Sequence, residues 1–182
     1  MPREARLIEH EGGLVPADDG WFVVNAAEAP WWRSDDRGAS CYFEGEHDFP
    51  QIGVRLKALW PGQPNGMYHS EAAQEDFLVL AGECLLLVEG EERWLRAWDF
   101  VHCPAGTEHI FVGAGDGPCL ILMIGARGGE NTVRYPVSTL AGRHGASVER
   151  ETADPPEAYA NSAPGVTGPI PAGVLSLLRA AR

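Results

Sequence analysis

The sequence predicts an all-β fold, one domain built as an antiparallel sandwich or barrel. Three observations predict it. Short apolar runs recur about every 8–12 residues through the middle of the chain, with turn residues between them. Gly 22 and Pro 14 are high for a helical protein and suit many short strands and tight turns. No helical pattern of roughly 10–15 residues intervenes between the strands, which disfavours a parallel sheet with crossover helices. At 182 residues and 45% apolar, the chain is long enough for one sizeable core, short for two, and not disordered as a whole.

Residues 1–20 are polar and contain glycine, so they read as an extended arm. Residues 21–25 (WFVVN) are a short strand candidate, broken by Pro30. Trp31 and Trp32 are expected to pack against the barrel or against a second subunit. Residues 39–44 and 51–60 read as strands. In the second, Ile52, Val54, Leu56 and Ala58 share one parity and Arg55 and Lys57 the other, the period of a half-buried strand. A turn-rich segment, 61–66, follows. Strands are then predicted over 77–80, 84–88, 93–97, 100–103, 108–112 and 119–125, punctuated by glycine and proline.

Beyond Ala126, residues 126–137 read as a loop or edge strand. A short helix is predicted over 138–144, with Ser138 as N-cap and Gly145 as its stop. Residues 148–171 read as an irregular tail. The last residues form either a short amphipathic helix docked on the barrel or a neighbour, or a frayed end. The chain thus divides into an arm with first strands (1–35), a core (36–126) and a C-terminal extension (127–182).

The formal net charge of -12 repels a nucleic-acid backbone, so no nucleic-acid partner is expected. No apolar run resembles a signal peptide or reaches the roughly 18 residues of a spanning helix. The expectation is a cytoplasmic protein with no membrane partner. Cys41, Cys84, Cys103 and Cys119 form no CxxC pair and no disulfide pattern. Three of them are read as small apolar strand residues.

The chemistry concentrates in two segments. His69 and Glu71 are two apart, so on a strand both leave the same face. Glu75 lies at the next strand, and His109 follows the Pro104-Ala105-Gly106 turn, where a meander can bring it alongside. Two imidazoles with one or two carboxylates make a mixed nitrogen and oxygen donor set. It suits a divalent metal (iron, manganese, nickel or zinc) and not soft thiolate chemistry.

These segments resemble the two motifs of the cupin superfamily. In the first, His69, one residue, Glu71, three residues, Glu75, six residues and Gly82 follow the family spacing. In the second, Pro104, one residue, Gly106, two residues and His109 do so. The resemblance covers roughly residues 50–125 and implies a cupin-type antiparallel β-barrel, a jelly roll, with His69, Glu75 and His109 as metal ligands. Three positions depart from the pattern. Glu71 stands where the family has a second histidine, and is carried as a fourth candidate ligand. Trp98 stands where the second motif begins with glycine, and Gly113 where it ends in asparagine. An alternative register, with Tyr68 and Ser70 at the histidine positions, leaves a poor site.

His102 and Trp98 are candidates for cavity lining, and Trp60 and Trp94 for either a cavity wall or packing. No catalytic residue stands out. The leading expectation is a small-molecule metalloenzyme of oxygenase, isomerase or lyase type. The alternative is a non-catalytic barrel that binds a small ligand. A homodimer is expected from the resemblance.

Overall fold

The computed structural model describes residue 1 and residues 3–128 and 132–180. Strands account for 42% and helices for 9%. The arm folds into a hairpin of β1 (Leu7–His10) and β2 (Gly13–Pro16). After it come β3 (Trp31–Ser34), β4 (Gly38–Cys41) and β5 (Ile52–Leu59). The short β6 (Ser70–Glu71) leads into β7 (Glu75–Ala81), β8 (Glu83–Val88), β9 (Glu91–Arg96) and β10 (Phe100–Cys103). Next are β11 (His109–Ala114), β12 (Cys119–Ala126) and β13 (Val133–Arg134). The C-terminal part holds α1 (Thr139–Gly142), α2 (Pro155–Ala158), β14 (Val166–Gly168) and α3 (Ala172–Ala180). The strands expected from 39 to 125 all form, within a few residues of the expected bounds. So does the helix capped by Ser138, whose hydroxyl accepts from the Ala141 amide at 3.2 Å.

All strand ladders among the described residues are antiparallel. One sheet runs β10-β7-β12-β5-β4-β3-β14 and the other β11-β8-β9. Between them lies an inner core that includes Leu59, Phe77, Val79, Leu86, Phe111 and Ile121. Among the described residues no ladder joins the two sheets. The expected barrel is therefore a pair of facing sheets, not a ring closed by hydrogen bonds, and packing across the gap holds them together. A double-sheet jelly roll permits this.

β5 keeps the expected alternation but turns the unexpected face inward. Arg55, Lys57 and Leu59 lie opposite Met123, Ile121 and Cys119 of the inner core. Leu56 and Ala58 instead join Leu120 in a second, outer apolar layer, roofed by Ala29, Trp31 and Val174. Because both faces of the sheet are covered, alternation alone does not reveal which one meets solvent. Lys57 is consequently buried. Its Nζ donates to Ser40 Oγ at 3.0 Å and lies 5.5 Å from the Trp32 ring. Burial, reinforced by the charges of Arg55 and Arg37, pulls its pKa down to about 7.

The flanks supply the roof. α3 docks on the sheet and buries Val174 completely. The supposed irregular tail contains α2 and β14, and β14 extends the large sheet by pairing with β3. Trp31 is fully buried within its own chain, its indole donating to the Ala26 carbonyl at 2.8 Å, so it does not face a partner. The strand expected over 21–25 is absent. Only an isolated bridge joins Trp21 to Glu4, and the chain then turns, the Glu28 amide bonding to the Asn25 carbonyl. All four cysteines are free, buried and in strands, one more than expected.

Candidate metal centre

The two imidazoles are brought together by backbone pairing. His69 and His109 form an isolated antiparallel bridge in which each amide bonds to the other's carbonyl, at 3.2 and 2.8 Å. Directly opposed residues carry their side chains on one face. The ring centroids are accordingly 5.0 Å apart. The Pro104–Thr107 turn that precedes His109 is tied down by Gly106, whose amide bonds to the Glu71 carbonyl at 2.7 Å. Glu75 opens β7, opposite Gly125 of β12 and Cys103 of β10. One ligand atom each from His69, Glu75 and His109 lies within 4.8 Å of the others.

The tautomers follow from the neighbours. His69 Nδ1 is 2.7 Å from the Met67 carbonyl and His109 Nδ1 is 3.1 Å from the Thr107 carbonyl. A carbonyl oxygen only accepts, so each Nδ1 carries the proton and each Nε2 offers a lone pair. His109 Nε2 faces Glu75 Oε2 at 3.3 Å. Burial holds both imidazoles neutral. It takes His69 down to about 4, helped by His109, and lowers His109 as well. Burial, then the neighbouring Glu71, raises Glu75 to about 7. A lone pair and a carboxylate oxygen at such a distance repel unless a cation lies between them, either a proton or a metal ion. The donor set therefore fits a divalent metal.

Glu71 is not in the three-atom group, although its Oε1 is 3.7 Å from His69 Nε2. Its carboxyl is also raised by burial, with Arg55 opposing. Beside Glu71 and Glu75 opens a cavity of about 170 Å3 whose wall includes Arg55, Tyr42, Glu44 and Arg127. A larger cavity of about 880 Å3 lies elsewhere, around Arg37 and Arg150, and contains none of these ligands.

His102 and Trp98 line neither cavity. His102 sits on the outer face of β10, its Nδ1 2.7 Å from Asp76 Oδ1, because the alternate residues Val101 and Cys103 point into the core. Trp98, in the turn before β10, is 75% exposed, and Trp94 is exposed as well, while Trp60 packs into the outer layer. Tyr68 is buried on the other side of the bridge, against Leu87 and Ile110, which rules out the alternative register. Sequence reasoning missed two neighbours of the site. Arg55 was misplaced by the face assignment of β5. Tyr135, whose ring centroid lies 5.9 Å from that of His69, comes from the extension and carries no local signal.

The motif departures have structural counterparts. Trp98 occupies a left-handed conformation (φ 78), the region that favours the glycine of the family pattern. At Gly113 a Cβ would come within 2.2 Å of the Trp60 carbonyl oxygen, so no asparagine fits there.

The family model of the cupin domain matches residues 55–125. That match, two fifths of the chain, supports the cupin superfamily for this segment. No curated protein matches the sequence. Among solved structures, this chain is similar to a protein assigned as a sugar phosphate isomerase from Acidithiobacillus ferrooxidans (27% identity, TM-score 0.44, 46% of this chain and 55% of that one). It is also similar to a cupin-superfamily sugar phosphate isomerase from Silicibacter pomeroyi (26% identity, TM-score 0.47, 59% and 66%). The match thus spans between about half and two thirds of those two proteins. A predicted oxalate decarboxylase from Thermotoga maritima shares 20% identity with a TM-score of 0.51, over 58% of this chain and 98% of that one. This last likeness bears on the fold alone. No helix among the described residues is long and apolar enough to cross a membrane.

Proposed function

We propose that this chain is a small-molecule metalloenzyme whose divalent ion is held by His69 Nε2, His109 Nε2 and the Glu75 carboxylate. One observation carries the reading: a ligand atom each of His69, His109 and Glu75 lies within 4.8 Å of the others, and no lysine or arginine among the described residues pairs with any of the three. A bound ion polarises an oxygen of the ligand and leaves positions open for it, the chemistry of oxygenases, isomerases and lyases. The chain's own residues do the rest. The Met67 and Thr107 carbonyls fix the ring orientations. Glu71, with its raised pKa and its place at the rim, accepts or returns a proton of the ligand. The sheet faces exclude water from one side. The site belongs to the core unit 36–126, with 1–35 and 127–182 as cladding, and a homodimer is the expected assembly.

The test is metal content by plasma mass spectrometry on untagged protein. About one equivalent of iron, manganese, nickel or zinc is expected, and its loss in His69→Ala and His109→Ala. Metal-free protein after incubation with each ion overturns the reading. Ligand depletion without product, in a metal-loaded sample, assigns the chain to binding alone.

A further inference from the structure

We propose that Arg55 is the anion anchor of this site, and that the ligand is a small carboxylate bridging the metal and the Arg55 guanidinium. The inference rests on the metal reading above and goes on to name the substrate class. Arg55 projects from β5 into the space between the sheets, opposite Met123, and shares the wall of the 170 Å3 cavity with Glu71 and Glu75. The other guanidinium on that wall is already engaged. Arg127 Nη1 and Nη2 bond to Glu44 Oε1 and Oε2 at 2.5 and 3.2 Å, and Nη1 also to the Phe49 carbonyl at 2.8 Å. Arg55 makes no side-chain hydrogen bond and no ion pair within 4.0 Å among the described residues. A half-buried guanidinium without a partner is expensive to keep, and its planar fork matches a carboxylate.

Charge points the same way. With two neutral imidazoles, two carboxylates and one guanidinium, a divalent ion leaves the site with one net positive charge, which a monoanion neutralises. The cavity beside Glu71 and Glu75 is small, about 170 Å3, and suits a small carboxylate.

The probe is glycolate, with ethylene glycol as its uncharged counterpart and inorganic phosphate as a second anion. Calorimetric titrations are run on metal-loaded and metal-free protein, with metal content measured on the same samples. The wild type is expected to bind glycolate, phosphate more weakly, and ethylene glycol not at all. Arg55→Met is expected to lose about 10- to 100-fold in glycolate affinity while keeping its metal, because a charge-assisted pair of this kind is removed. Arg55→Lys keeps the charge without the fork and is expected to fall between, and it serves as the folded control if Arg55→Met is unstable. Three results overturn the anchor: no glycolate binding by the wild type in either form, equal binding by Arg55→Met, or loss of metal in both Arg55 variants. Binding of glycolate through Arg55 in a protein that takes up no metal sinks the metal reading and leaves the anchor standing.

Discussion

The gap between the two sheets has a dry half and a polar half. In the dry half the Phe77 and Phe111 rings pack at a tilt, 4.7 Å between centroids, with Ile121 and the Cys84 and Cys119 thiols packed around them. In the polar half, reached along the same strands, His69, Glu75, His109 and Arg55 converge. Phe77 touches both, its ring 5.2 Å from that of His109. The difference is one of energetic role. Apolar burial stabilises the first half, whereas desolvation of imidazole and carboxylate weakens the second, a cost that the proposed cation and ligand would offset.

Several substitutions break or sharpen this contrast. Phe111→Ala, in the dry half, is expected to cost about 3–5 kcal/mol in chemical denaturation, whether or not metal is present. Glu75→Gln, in the polar half, is expected to leave apo stability intact or improved but to weaken metal binding by about 100-fold or more, measured by competition with a chelator. Glu71→Gln is expected to weaken it by less than about tenfold, since Glu71 lies outside the three-atom group. Equal effects of the two would make Glu71 a ligand.

Lys57 lies where the halves meet. Its folded pKa of about 7 is below the unfolded value of 10.5, so between those pH values the unfolded chain binds the extra proton. Stability should therefore rise with pH from about 7 to about 10.5, and the penalty should be fully present below 7. Lys57→Met is expected to abolish that rise and to stabilise the protein at pH 6 by on the order of 2 kcal/mol. The smallest effect is expected at Trp98, outside both halves. Trp98→Gly should stabilise by about 1 kcal/mol, since the strained φ disappears and little packing is lost.

Much of this was legible in the sequence because it is local. Turn glycines and prolines bracket the strands from β5 to β12, and the spacing of His69, Glu75 and His109 survives folding as a cluster. What was not legible depends on layers. The alternation in β5 shows that Arg55 and Lys57 share a face, but the roof of Trp31 and Val174 that makes the other face apolar comes from distant segments. The same holds for Tyr135, and for β14, whose three residues acquire a strand conformation only by lying against β3. His102 looked like a site residue by its nearness to the second motif, yet one step of parity puts it on the outside.

The pairing of β14 with β3 also has a temporal consequence. β3 emerges early in synthesis, but its edge stays unpaired until β14, near the opposite end of the chain, has left the ribosome. During that interval Trp31 and Trp32 sit on a strand with an open edge, a condition that favours sticking to another nascent chain. The inner core and the His69, Glu75 and His109 cluster, all contained between β5 and β12, can assemble before then. Translation thus completes the His69, Glu75 and His109 cluster before the strand that covers the β3 edge.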